Sequence, residues 1–257
     1  MGTPDIKEII TMRECGMLLP VASLPSRYGI GAFSKEAYDF IDTLKAAGQS
    51  FWQILPLGPT GFGDSPYQSF SAFAGNPYFI DLEKLAEEGL LTREECLDAD
   101  FGNDERDIDY KKIYDGRFPL LRKAYERWKE GRSPELVHEL AGRKLGDETR
   151  EYCFYMAVKN HFDSCSWNLW DGGIRLRKPE ALESYRAMLT DEIGFYEFQQ
   201  IKFEEQWDAL KRYAHEQGIR IIGDIPIYVA FDSADSWSRP ELFQFCLLYT
   251  SPSPRDA

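Results

Sequence analysis

Histidine is scarce in this chain, and its cysteines are not clustered. The three histidines (His138, His161 and His215) stand far apart, so a histidine-based metal site or catalytic triad has few side chains to draw on. The five cysteines show no CxxC spacing, so we expect neither a zinc site nor a redox pair. Reduced, structural thiols are the expected state.

Positive charge is in deficit and long apolar runs are absent. Lys and Arg number 30 against 43 Asp and Glu, a net charge of −13 in 257 residues. Nucleic acids and anionic membrane surfaces both select for clustered basic residues, so neither is an expected partner. No apolar run reaches the length of about 18 residues that indicates a membrane-spanning helix. The N-terminal stretch carries Asp5 and Glu8 and lacks a signal pattern, so we expect a cytoplasmic protein.

Three short apolar segments predict the strands of a parallel sheet. They span residues 16–24 (GMLLPVASL), 50–57 (SFWQILPL) and 219–230 (IRIIGDIPIYVA). Continuous rather than alternating apolar runs are typical of strands covered on both faces. Apolar residues at helical spacing predict helices over residues 34–47, before the second strand, and over roughly 195–217, before the third.

This order of elements predicts an α/β protein. A strand, a helix and a strand with short connections form a right-handed βαβ unit. Such units begin either a (β/α)₈ barrel or a doubly wound sheet, and three strands do not distinguish the two. Residues 83–194 are charged, aromatic and helix-patterned, and we interpret them as an inserted helical subdomain. The predicted parts are therefore 1–82 with the first two strands, the insertion, 195–245 with the third strand, and a tail at 246–257.

The loop after the second strand, residues 58–81 (GPTGFGDSPYQSFSAFAGNPYFID), is the most informative stretch. It is too rich in Gly and Pro for a helix, and too aromatic for an ordinary solvated loop. Aromatic faces beside Ser, Asp, Gln and Asn suit a sugar, which offers C–H faces for stacking and hydroxyls for hydrogen bonds. Alternatively, the aromatics only cap the top of the sheet. GPTGFG lacks the Lys and Ser/Thr of a P-loop, so we expect no nucleotide cofactor.

Carboxylates near the third predicted strand are further candidates. Asp224 interrupts an apolar run, and a buried carboxylate is costly unless it is paired or faces a site. Ligands of parallel α/β folds bind at the carboxyl ends of the strands, so we expect Asp224 to point into a pocket there. Asp232 and Asp235 fit helix caps and turns as well as functional roles. Arg27, after the first strand, fits either a pocket or the surface.

Three stretches carry a specific pattern: LPVASLPSRYGIG, FWQILPLGPTGFGDSPYQSFSAFAGNPYFIDL and GDIPIYVAFDSADSW. They resemble the N-terminal half of the 4-α-glucanotransferases of the amylomaltase family, over about residues 16–243. The resemblance implies the N-terminal part of a (β/α)₈ TIM barrel with an inserted helical subdomain, the barrel being incomplete in this chain. It implies an enzyme of maltodextrin, glycogen or starch metabolism that needs no dissociable cofactor. Such enzymes transfer α-1,4-glucan segments, with retention, to the 4-hydroxyl of an acceptor glucan or glucose.

The resemblance implies four substrate-binding residues in this sequence. Ser65 and Tyr67 match family residues that line the subsite of the reacting sugar, where Tyr67 would stack under the ring. Asp224 matches an aspartate that hydrogen-bonds sugar hydroxyls there. Phe62 stands where some members carry a tyrosine at a second glucan-binding site, so it keeps the stacking face and loses the hydroxyl.

The chain also departs from the family. Members are about twice as long, and their nucleophilic aspartate lies in an arginine-x-aspartate-histidine motif that this sequence lacks. We therefore assign no catalytic residue and no metal ligand. Residues 246–257 (CLLYTSPSPRDA) break from the family pattern, and we interpret them as a non-native end rather than a natural disordered tail.

An incomplete barrel leaves apolar strand edges uncovered, so we predict a chain that is poorly soluble or partly ordered, and inactive. A non-catalytic glucan-binding remnant is the alternative function. A third possibility is a hydrolase of the α-amylase type, but the loop DSPYQSFSAFAGNPY resembles the transferase pattern more closely.

Overall fold

A computed structural model describes residues 13–61, 63–102 and 107–243, and these are mostly helical. The part described contains ten α-helices and four short 3₁₀ turns. In chain order the helices are α1 Lys35–Ala46, α2 Leu82–Glu87, α3 Arg93–Asp98, α4 Tyr110–Lys129, α5 Pro134–Lys144, α6 Asp147–His161, α7 Gly172–Arg175, α8 Pro179–Met188, α9 Thr190–Glu216 and α10 Ala234–Ser238.

Three strands form one parallel sheet in the order β1–β2–β3. They are β1 Gly16–Leu18, β2 Phe51–Gln53 and β3 Arg220–Ile222. Their first residues lie opposite one another, so the three strands start in register. With α1 between β1 and β2, and α9 directly before β3, the chain alternates between strands and helices as predicted.

Each strand is shorter than predicted. The segments 16–24, 50–57 and 219–230 contain Pro20, Pro56 and Pro226 respectively, and each strand ends before its proline. Proline has no N–H to donate to a strand ladder, so the apolar pattern continues where the sheet does not.

The helices cover only one face of the sheet. Trp52, at the centre of β2, is fully buried, meets the ring of Phe40 edge-on at 5.2 Å, and donates from Nε1 to the carbonyl of Leu19 at 2.8 Å. On the opposite face, Leu18 and Ile222 are 54% and 43% exposed. The prediction that the strands are covered on both faces is therefore wrong for the described chain, because helices pack on one side only.

The two helices predicted from apolar spacing are present. α1 follows Ser34 and is succeeded by Gly48 at φ 68°. α9 begins at Thr190, earlier than the predicted residue 195, and is succeeded by Gly218 at φ 81°. A left-handed residue directly after a helix is the position that glycine favours, which explains both stops.

The long helix α9 joins the sheet to the helices of segment 83–194. It contacts α1 and β3 at one end and α4, α5 and α6 along its length. Phe33 stacks on Trp207 of α9 at 5.3 Å, and Tyr125 of α4 meets Phe198 of α9 at 5.8 Å. A continuous apolar core therefore runs from the sheet into the helical segment.

Some of the predictions fall on residues that the structure does not describe, and others are tested only within the described ranges. Phe62 and the tail 246–257 lie outside the described residues. Across residues 13–61, 63–102 and 107–243, no helix has both the length and the apolar character needed to cross a bilayer. Within the same ranges Cys15, Cys96, Cys153 and Cys165 are free thiols.

Candidate functional site

A cavity of about 980 Å³ opens between the loop 58–81, the helical segment and the residues that follow β3. Rings dominate its wall: Tyr67, Phe70, Tyr78, Tyr110, Tyr114, Phe118, Tyr152, Tyr196, Tyr228 and Phe231. Asp64, Asn76, Lys159, Asn160 and Asp232 add polar groups. Aromatic walls with a few placed polar groups suit a ligand that has apolar faces and hydroxyl edges.

Buried glutamines of α9 hold the second half of the loop 58–81. Gly75 donates its N–H to Oε1 of Gln200 at 2.7 Å, and Nε2 of Gln200 donates to the carbonyl of Gly75 at 2.8 Å. In the same way, the N–H of Asp81 donates to Oε1 of Gln206 at 2.6 Å, and Nε2 of Gln206 donates to the carbonyl of Asp81 at 3.3 Å. One helix therefore fixes the loop at two points through its backbone.

The first half of the loop folds back on itself. Thr60 and Ser69 form an antiparallel bridge, and the chain reverses between them. Gly63 and Asp64 both adopt left-handed backbone conformations, at φ 86° and 54°. Glycine takes that conformation freely, whereas it is uncommon for an aspartate. The reversal brings Tyr67 to the mouth of the cavity.

The structure brings together Tyr67 and Asp224, two of the predicted site residues. The hydroxyl of Tyr67 donates to Oδ2 of Asp224 at 2.7 Å, and this hydrogen bond is the main reason that the pKa of Tyr67 is raised. Asp224 follows the end of β3 at Ile222, so the prediction that it lies within a buried strand is wrong. Ser65 accepts from the N–H of Tyr67 at 3.3 Å and lies in the same turn. Neither Ser65 nor Asp224 lines the cavity, so Asp224 reaches it only through its bond to Tyr67.

Asp232 and Asp235 tie the segment after β3 to its neighbours. Asp232 accepts from the Tyr155 hydroxyl at 2.7 Å and from Nζ of the buried Lys159 at 2.6 Å. Asp235 accepts from the N–H of Ala72 at 2.8 Å, and burial raises the pKa of its carboxyl. Both carboxylates are therefore partners of the fold, although Asp232 also lines the cavity.

The helical wall of the cavity was not anticipated. Tyr110, Tyr114 and Phe118 lie four residues apart on α4, which places them on one face of that helix. This spacing was visible in the sequence, but nothing in it indicated that the face meets a loop from another part of the chain. Arg27, by contrast, lies at the surface 3.6 Å from Glu83 and does not line the cavity.

Acidic, thiol and imidazole groups do not converge in the described part of the chain. No set of three or more His, Cys, Asp or Glu side chains is placed there to hold a metal ion.

Comparisons with known proteins agree with one another. A family model described as 4-alpha-glucanotransferase matches residues 19–252. The chain is 48% identical over 233 residues to the 4-alpha-glucanotransferase of Streptococcus pneumoniae, covering 90% of this chain and 46% of that protein. It is 46% identical over 233 residues to the Thermus thermophilus protein of the same name, with the same coverages. The chain thus spans about half the length of the curated relatives it matches.

Solved structures give the same result. An amylomaltase from Streptococcus agalactiae in complex with acarbose is similar with a TM-score of 0.86 and 42% identity, over 92% of this chain and 48% of that one. An amylomaltase from Corynebacterium glutamicum, at 20% identity and a TM-score of 0.63, shares the fold. With the parallel sheet described above, these likenesses are consistent with a partial TIM-barrel-type α/β fold.

Proposed function

This chain belongs to the 4-alpha-glucanotransferase family, glycoside hydrolase family 77, and on that basis we propose that it supplies the α-1,4-glucan-binding surface of such an enzyme. The observation that carries the proposal is the hydrogen bond by which Asp224 holds Tyr67, an exposed ring in the wall of an aromatic cavity. The composition of the loop favours a sugar, and the hydrogen-bonded pair supports the proposal.

The pair is suited to hold one sugar ring. Tyr67 is 45% exposed, so its ring offers a face for stacking, while its hydroxyl is fixed by Asp224. Oδ1 of Asp224 accepts from the N–H of Ile225 at 2.8 Å, which orients the carboxylate. A carboxylate has about four lone-pair positions, so both oxygens retain capacity for sugar hydroxyls. A pre-oriented ring and carboxylate lose little freedom on binding, which favours affinity.

The reaction proposed for the whole enzyme is retaining transfer. One carboxylate attacks the anomeric carbon while a carboxylic acid protonates the departing oxygen, and an acceptor 4-hydroxyl then displaces the covalent intermediate. We assign neither carboxylate to this chain, because its sequence lacks the arginine-x-aspartate-histidine motif. The barrel is proposed to be incomplete, with Leu18 and Ile222 on its uncovered face. The isolated chain should therefore be inactive, and conversion of maltotriose to glucose and longer dextrins by the purified chain would contradict this.

The binding proposal is tested by isothermal titration of the full chain with maltoheptaose. Wild type should bind, Tyr67→Ala should lose about tenfold in affinity with the stacking face, and Tyr67→Phe should lose less, because it keeps the ring. Tyr213→Phe is a matched control: Tyr213 also donates to a carboxylate, that of Asp42, at 2.7 Å, but it does not line the cavity. The control should bind as wild type does. Wild-type chain that fails to bind the glucan would sink the proposal.

The alternative function is a non-catalytic glucan-binding protein. It predicts the same titrations, so binding does not separate the two. They differ in what the source DNA encodes beyond codon 245. A frame that continues into the missing motif and two further carboxylates favours the enzyme, whereas a confirmed stop codon after residue 257 favours the binding protein.

A further inference from the structure

Asp64 holds a left-handed backbone conformation, which is uncommon outside glycine although aspartate adopts it more often than most residues. Its φ is 54°, directly after Gly63 at φ 86°. A glycine would occupy position 64 without strain, whereas an aspartate is held there against its conformational preference. Strained residues of this kind cluster at ligand sites, where the side chain has a use that the fold alone does not require.

Asp64 also stands where two cavities meet. It lines the 980 Å³ cavity and an adjoining cavity of about 200 Å³. Thr60, Asn76 and Tyr110 line both cavities as well, so the shared wall is polar on otherwise largely apolar surfaces. A ligand in the larger cavity therefore meets hydrogen-bonding groups at this wall.

The carboxylate of Asp64 has no protein partner within the described ranges. Among the described residues, no hydrogen bond or ion pair engages it, and burial is the cause that raises its pKa. The charge of Asp64 acts on two neighbouring tyrosines. Burial is the largest cause of the raised pKa of Tyr78 and of Tyr110, and the carboxylate of Asp64 is the second. A partly buried carboxylate without a protein donor can accept hydrogen bonds from a ligand, and such charge-assisted bonds are stronger than neutral ones.

We propose that Asp64 is a glucan-binding residue that accepts hydrogen bonds from two adjacent hydroxyls of a glucose unit in the large cavity. Two carboxylate oxygens match two vicinal hydroxyls, and the left-handed turn directs the side chain to the cavity wall. The inference rests on the proposed function, to which it adds a specificity residue that is independent of the Tyr67–Asp224 pair.

The test compares affinity with stability in the full chain. Asp64→Gly removes the carboxylate and relieves the backbone, so it should keep or raise the melting temperature while affinity for maltoheptaose falls about tenfold. Asp64→Asn tolerates the same conformation and keeps one acceptor oxygen, so its loss should be smaller, about threefold. Asp163→Gly is the matched control, because Asp163 is exposed, has φ 51° and lines neither cavity. It should gain stability without losing affinity.

The possible results separate the inference about Asp64 from the proposed function. If wild type binds and Tyr67→Ala weakens binding, but Asp64→Gly binds as wild type does, the inference on Asp64 is overturned and the proposed function stands. If wild type itself does not bind maltoheptaose, both fall. A lower melting temperature for Asp64→Asn overturns the inference too, because that variant keeps the backbone preference and its loss would show that the carboxylate supports the fold.

Discussion

Two adjacent glutamines of α9 are both 1% exposed, yet only one has hydrogen-bond partners in the described chain. Gln200 holds the N–H and the carbonyl of Gly75 at 2.7 and 2.8 Å. Both amide atoms of Gln199 lack a partner among the described residues. We predict that Gln200→Leu strongly lowers the free energy of unfolding, and that Gln199→Leu leaves it unchanged or raises it.

The magnitude follows from the groups left behind. Gln200→Leu strands one buried N–H and one buried carbonyl, at about 1–3 kcal/mol each, so about 2–6 kcal/mol in total. This is a large part of the roughly 5–15 kcal/mol that holds a typical domain together. Gln199→Leu strands no described group and replaces an unpaired amide with an apolar side chain of similar size, which is near neutral or favourable.

The assay is urea unfolding followed by the fluorescence of the six tryptophans, with the m-value compared between variants so that the midpoints report stability. Limited proteolysis within residues 58–81 should accelerate for Gln200→Leu only, because the loop loses one of its two anchors. Equal losses of stability for the two variants, or a loss below about 0.5 kcal/mol for Gln200→Leu, would refute the conclusion that the Gln200–Gly75 hydrogen bonds stabilise the fold.

Two further predictions use the same unfolding assay. Burial raises the pKa of Asp81 from 3.8 to about 6, so the folded chain binds this proton more tightly than the unfolded chain. The contribution of Asp81 to the free energy of unfolding is complete below about pH 4, and up to about 3 kcal/mol of it is lost as the pH rises through 6. Asp81→Asn should remove this dependence of stability on pH. An unchanged dependence in the variant would count against Asp81 as its source. Gly75→Ala places a methyl group against the ring of Phe203 and should lower the free energy of unfolding by about 1–3 kcal/mol. Adding Phe203→Leu should recover part of that loss, whereas strictly additive effects would exclude this contact as the cause.

The sequence predicted helices better than strands. Apolar spacing and a following glycine located α1 and the end of α9, because a helix satisfies its hydrogen bonds locally. The strands depended on partners, and the apolar pattern did not show where the ladder stops. Pro20, Pro56 and Pro226 carried that information, since none of them can donate to a neighbouring strand.

The candidate site, too, could be predicted from the sequence only in part. The glycine-rich aromatic loop was recognisable from its composition and its place after the second predicted strand, and Asp224 was recognisable as a carboxylate within an apolar run. The Tyr67–Asp224 bond joins residues 157 positions apart, and the wall formed by α4 lies elsewhere again. Such convergence is set by how α9 packs against both parts of the chain, which no local pattern records. The left-handed turn at Asp64 was equally hidden, because aspartate does not announce that conformation as glycine does.

The contacts of Gln200 with Gly75 and of Gln206 with Asp81 can form only after α9 has been synthesised. Each contact joins residues 125 positions apart. A ribosome adds about 5–20 residues per second, so the loop waits roughly 6–25 s for the helix that will hold it. During that interval its phenylalanines and tyrosines have no α9 to pack against, and they are free to engage other nascent chains or a chaperone. The pace of translation between the loop and α9 therefore sets how long the aromatic side chains of the loop stay uncovered before its shape is fixed.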